Sequence, residues 1–167
     1  REDDGSVVCH GFTMDITDRK RAEREIERLA FYDALTGLPN RRMLLDRLQR
    51  AVAASARSLQ LGALLFIDLD NFKDLNDTLG HDMGDHLLSQ VAARLLSCVR
   101  EVDTVARFGG DEFVVMLETL HAELPDAASQ AEIVAEKLLA SLNLPFDLGG
   151  AATLQHPQHR YHAVWRP

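Results

Sequence analysis

The pattern of apolar residues predicts an α+β sandwich with a mainly antiparallel central sheet and flanking helices. Three features point to it. Residues 63–68 (ALLFID) form a near-continuous apolar run, as expected of a strand buried on both faces. Two β-rich segments, TVARF and DEFVVML, flank Gly109-Gly110 and read as a tight hairpin, because primed turns need positive φ. Amphipathic helical patterns alternate with these segments in the order helix, strand, helix, helix, hairpin, helix.

Taken in order, residues 5–16 read as the last strand of something upstream. Residues 19–30 place Ala22, Ile26, Leu29 and Ala30 on one helical stripe, with Asp18 as the expected N-cap. Gly37 and Pro39 mark a turn, and Asn40 caps a helix reaching about Ser55. The buried strand ends in Asp68-Leu69-Asp70. A short helix over 71–79 follows, then a polar loop over 80–85 and an amphipathic helix over 86–99. After the hairpin, residues 126–142 form another amphipathic helix. Beyond Asp147 acidic residues stop, His156, His159 and His162 crowd the end, and no strand alternation is visible.

The chain has 167 residues, with 18 Lys plus Arg against 26 Asp plus Glu, a net charge of −8. That excludes a basic nucleic-acid-coating protein but not a nucleotide ligand, since a metal can bridge acidic side chains to phosphates. Cys9 and Cys98 have no metal-ligand spacing, which suits a reducing cytoplasm. No segment approaches the roughly 20 apolar residues of a membrane span, and no signal peptide opens the chain. The absence of an initial Met points to a piece of a longer protein.

If the hairpin lies beside the buried strand, Asp68, Asp70, Asp111 and Glu112 converge at one edge. Carboxylates so close repel one another, and a divalent cation with a taste for hard oxygen ligands removes the conflict. Either acidic string alone is commonplace; their combination is not.

The strings DALTGLPNRR (33–42), DLDNFKDLNDTLGHDMGD (68–85) and RFGGDEF (107–113), in that order and spacing, closely resemble the GGDEF family of diguanylate cyclases. The resemblance implies a palm-like fold, of the nucleotide cyclase or ferredoxin-like type. It further implies condensation of two GTP into cyclic di-GMP with release of two pyrophosphates, one GTP per protomer of a homodimer, in bacterial second-messenger signalling such as biofilm control. Matched position by position, Asp68, Asp111 and the Leu69 carbonyl become ligands of Mg2+ or Mn2+, with Glu112 supporting the metal site. Asp111 is also the candidate general base. Phe72 and Lys73 match the phosphate-side pair, and Gly109 and Gly110 allow phosphates close to the backbone. Asn76 and Asp85 match the guanine contacts, and His81 a histidine near the nucleotide. A carboxylate accepts from guanine N1–H and its exocyclic amine together, a pair of donors that adenine lacks. Arg100 and Asp103 match the RxxD motif by which many members bind product as a feedback inhibitor.

The N-terminal stretch resembles the end of a PAS sensory domain, and LAFYDALTGLPNRR resembles proteins in which a phosphodiesterase domain follows. The expected organisation is a PAS end over 1–17, a signalling helix over 18–30, a GGDEF domain over 31–147 and an atypical tail over 148–167. The location expected is cytoplasmic, within a larger, membrane-tethered protein. The tail does not resemble the family's last strand and helix. It therefore supports an alternative, a catalytically impaired module that binds GTP or cyclic di-GMP.

Overall fold

The computed structural model describes residues 14–148, 151–153 and 158–165, the last two segments by backbone alone. The expected strand over 5–16 lies largely outside them. The chain divides into two units, Arg1–Ala30 and Phe31–Pro167. Among the described residues, the first holds most of helix α1 (Thr17–Phe31), none of whose residues is buried. Asp15, rather than Asp18, accepts from the Thr17 N–H at 2.8 Å, so the helix starts earlier than expected and Asp18 falls in its first turn. Arg19–Glu23 and Arg28–Glu25 pairs line its surface, and Ile26 and Leu29 of the apolar stripe stay exposed.

In the second unit, Asn40 caps α2 (Arg41–Ser58) as expected, accepting from Arg42 N and Met43 N at 3.0 and 3.1 Å. Strand β1 (Leu61–Asp68) leads to α3 (Phe72–Leu79) and α4 (His81–Cys98). The expected loop over 80–85 is instead one residue. Gly80, at φ +86°, ends α3 and turns the chain, and His81–Asp85 already wind as the first turns of α4. The hairpin pairs β2 (Thr104–Gly109) with β3 (Glu112–Leu120). Gly109 faces Glu112, so the two-residue loop is Gly110-Asp111, and only Gly110 of the glycine pair takes positive φ, +52°. Helix α5 (Leu124–Leu142) follows, with Pro125 in its first turn.

The tail corrects another expectation. After the short hairpin of β4 (Phe146–Leu148) and β5 (Ala151–Thr153), β6 (Gln158–Trp165) pairs antiparallel with β1. The outer edge of β1 offers backbone donors and acceptors that an extended segment satisfies whatever its side-chain pattern. Pro157, which donates nothing, stands just ahead of the strand.

The main sheet runs β2-β3-β1-β6, every pair antiparallel. Its period of two sorts the core. Ala63, Leu65 and Ile67 of β1 and Phe113, Val115 and Leu117 of β3 join Leu88, Val91 and Leu138 under α4 and α5. Val114 and Met116 face the other way and pack with Leu44 and Ala51 of α2. Arg94 of α4 ties down the end of α5. It stacks 3.7 Å from the Phe146 ring centroid and donates to the carbonyls of Ser141 and Leu144 at 3.0 and 2.6 Å.

Candidate active site

The acidic edge is built by strand register. Asp68, the last residue of β1, lies opposite Glu112, the first of β3, so the two side chains share one face of the sheet. Asp111 sits one residue away in the hairpin turn. Leu69 is buried just past β1, and its carbonyl accepts a long bond, 3.4 Å, from Phe72 N. Asp70 and Asn71 form the turn into α3, Asn71 at φ +56°. The four carboxylates do not close into one cage: among the described residues no group of three His, Cys, Asp or Glu side chains is arranged to hold a metal. Strand pairing brings Asp68 and Glu112 together. The donor set at this edge, carboxylates and a turn carbonyl, is hard oxygen throughout and fits a divalent cation of the Mg2+ kind.

The residues matched to the nucleotide lie on the α3–α4 pair. Phe72 packs partly into the core, and Lys73 beside it is exposed. Asn76 stands one turn further along α3. Its Oδ1 is buried and has no hydrogen-bond partner. His81 and Asp85 are exposed near the start of α4, and Gly84 between them is buried.

Arg100 and Asp103 meet, but not as an ion pair of side chains. Asp103 accepts from the Arg100 backbone N–H at 3.0 Å and, with its other oxygen, from Glu118 N at 3.2 Å. The Arg100 side chain is exposed. Burial, with the charge of Asp103 adding to it, pushes the Glu118 carboxyl above its ordinary value despite the opposing charge of Arg47. Arg47 itself donates to Thr104 at 3.0 Å.

Sequence reasoning assigned no role to Asp33 or Arg107, although both stand in the strings that carry the family resemblance. Asp33 accepts from Thr36 N at 2.8 Å and from Thr36 Oγ1 at 2.6 Å. Arg107 Nη1 lies 3.1 Å from both Asp33 oxygens, and its Nε and Nη2 reach the Gly110 carbonyl at 2.9 and 2.7 Å. Burial disfavours the Asp33 anion, yet the bonds from Thr36 and Arg107 outweigh it and hold the carboxyl below its usual value. This pair borders a cavity of about 760 Å³ between the start of α2 and the glycine turn, with Arg41 and Arg42 on its wall. The Asp-x-x-Thr spacing was the available signal for the local turn; the arginine 74 residues away was not.

Antiparallel sheet, flanking helices and a carboxylate edge beside a Gly-rich turn define a palm-like α+β domain. The family model described as "Diguanylate cyclase, GGDEF domain" matches residues 30–157, and the chain belongs to that family. The bifunctional diguanylate cyclase/cyclic di-GMP phosphodiesterase MucR of Pseudomonas aeruginosa is 46% identical over 132 residues, 79% of this chain and 18% of MucR. The diguanylate cyclase DgcM of Escherichia coli is 42% identical over 131 residues, 78% of this chain and 31% of DgcM. The chain thus spans less than a third of either relative. Among solved structures, the isolated GGDEF domain of TpbB from Pseudomonas aeruginosa superposes with a TM-score of 0.70 at 39% identity, covering 75% of this chain and 71% of that one. GGDEF diguanylate cyclases depend on a divalent metal. Among the described residues no helix is long and apolar enough to cross a membrane.

Proposed function

We propose that this chain is the cyclase domain of a signalling protein and condenses two GTP into cyclic di-GMP, releasing two pyrophosphates. The observation that carries the reading is the register of Asp68 against Glu112, beside an intact Gly109–Phe113 signature, in a chain of the GGDEF family. In each half-reaction the ribose 3′-oxygen forms a bond to the α-phosphorus of the facing GTP, and the bond from that phosphorus to the β-phosphate bridging oxygen breaks. The proton leaves the 3′-hydroxyl, and Asp111, half-buried in the turn, accepts it. Lys73 supplies positive charge to the crowded phosphorus. Gly109 and Gly110 leave the backbone open to the phosphates, since nothing stands within 4 Å of where their side chains would begin. Asp85 accepts from guanine N1–H and the exocyclic amine, Asn76 completes the base contact, and His81 lies alongside. Asp68 and Glu112, which strand register brings together, are the pair around which Mg2+ or Mn2+ would sit, with Asp111 and the Leu69 carbonyl as the further oxygens assigned to it. When bound, the cation stabilises charge on the phosphoryl oxygens and the departing pyrophosphate.

Each protomer offers one such half-site, so the active form is a homodimer of facing domains. Arg100, with Asp103 holding its backbone, is assigned to binding cyclic di-GMP as feedback inhibitor. The domain organisation follows the same reading: a PAS end over 1–17, a signalling helix over 18–30, the cyclase domain from residue 31, and a cytoplasmic location. The impaired-module alternative drew on a tail without a strand, and the pairing of β6 with β1 removes that support. Incubation with GTP and Mg2+ followed by chromatography tests the proposal: cyclic di-GMP and pyrophosphate are expected, and unconverted GTP from a folded protein overturns it.

A further inference from the structure

Gly84 is buried in the first turns of α4, where its φ is not positive. The backbone therefore does not call for glycine, and helix propensity favours alanine there. Space is the reason instead. A Cβ at this position would overlap Asn76 Oδ1, and would lie 3.0 Å from Asn76 Cγ and 3.2 Å from Phe72 Cζ. Phe72 and Asn76 are four residues apart on α3 and share one face. Both side chains of that face lie against this glycine.

A second observation bears on the same contact. Asn76 Oδ1 is buried without a hydrogen-bond partner, an arrangement that native structures seldom tolerate. The seat at Gly84, rather than any hydrogen bond to that oxygen, sets where the carboxamide lies. The next residue in the chain is Asp85.

We propose that Gly84 is the positioning residue of the base pocket. Its missing side chain lets Asn76 settle against α4, and so sets the spacing between Asn76 and Asp85. The inference rests on the reading of Asn76 and Asp85 as the guanine contacts.

The test is a double-mutant cycle on the whole chain with G84A, N76A and G84A/N76A. Binding of 3′-deoxy-GTP and 3′-deoxy-ATP, which lack the attacking hydroxyl, is measured by calorimetry with Mg2+, and melting by circular dichroism. With Oδ1 buried at Gly84, Asn76 offers the base its Nδ2–H, which guanine O6 accepts and the adenine amine does not. N76A and G84A are each expected to weaken the guanine nucleotide about 5- to 10-fold, the loss of one hydrogen bond, while the adenine nucleotide binds as to the wild type. A merely structural role would weaken both. The double variant should bind no worse than N76A and melt above G84A, because the group that the new Cβ displaces is gone. If G84A alone does not fold, a folded double variant with the affinity of N76A supports the proposal, and an unfolded one overturns it. Unchanged affinity in G84A beside a weakened N76A overturns the role of Gly84 alone, as do losses that multiply in the double variant. Unchanged affinity in N76A overturns the base-pocket reading and this inference with it.

Discussion

Arg107 Nη1 stands 3.1 Å from both carboxylate oxygens of Asp33, while the rest of the guanidinium grips the carbonyl of Gly110. One side chain thus joins the loop that opens the domain to the turn that carries Asp111. The two side chains are 14% and 23% exposed, so the pair is shielded from water and each member depends on the other.

Replacing Asp33 with Ala should therefore lower stability by about 2–4 kcal/mol, since it leaves a half-buried guanidinium unpaired. The pH dependence has a definite sign. The carboxyl of Asp33 is depressed in the folded state, so its contribution is complete above the ordinary aspartate value. It is lost as pH falls through the lower folded value. Denaturant melts between pH 6 and 3 should show the stability gap between wild type and Asp33→Asn closing as pH falls; a constant gap would count against the linkage.

At the acidic edge, Asp111→Ala should abolish formation of cyclic di-GMP while leaving the melting temperature near that of the wild type. The turn position of Asp111 is what separates the two effects, because Gly110 supplies the positive φ and the core lies elsewhere. Chromatographic product assay and thermal melting together decide it. Near-normal turnover would remove Asp111 from the chemistry.

In the base pocket, Asp85→Asn puts a donor where guanine presents donors. A polar mismatch of this kind costs about 1–3 kcal/mol, or roughly 5- to 150-fold in GTP affinity. Asp85 is exposed at the start of α4, so the fold should be untouched. Calorimetry showing wild-type affinity would exclude the residue.

Arg100 and Asp103 should separate under mutation, although they share one motif. Arg100→Ala should relieve inhibition by cyclic di-GMP without lowering the initial rate, because only the exposed side chain is lost. Asp103→Ala should also destabilise the domain by about 1–3 kcal/mol, since its carboxylate satisfies the N–H groups of Arg100 and Glu118. Inhibition curves and denaturant melts on both variants check this. Equal inhibition of Arg100→Ala and wild type would reduce the motif to a structural turn.

The residues proposed for the nucleotide lie close in sequence. Residues 72–85 hold Phe72, Lys73, Asn76, His81 and Asp85, and two adjoining helices keep them together. The Asn40 cap, the Gly-rich hairpin and the apolar faces of α4 and α5 follow from local rules that act over a few residues. Reading 80–85 as a loop failed because Gly80 turns the chain alone, and polarity on the outer side of a helix start looks like a loop.

By itself, then, the sequence determined the class of fold, the family motifs and the residue types offered to a nucleotide. The fold class rests on periodicity; the motifs and the residues proposed for the nucleotide rest on the resemblance to the family. Tertiary structure decided which distant groups meet: Asp68 with Glu112, Asp33 with Arg107, and the seat of Asn76 at Gly84. It also decided that the unpatterned segment Gln158–Trp165 completes the sheet. The physical reason is that strand register and helix packing are settled by backbone hydrogen bonds and excluded volume between distant segments, and neither leaves a periodic mark on the residues that obey it.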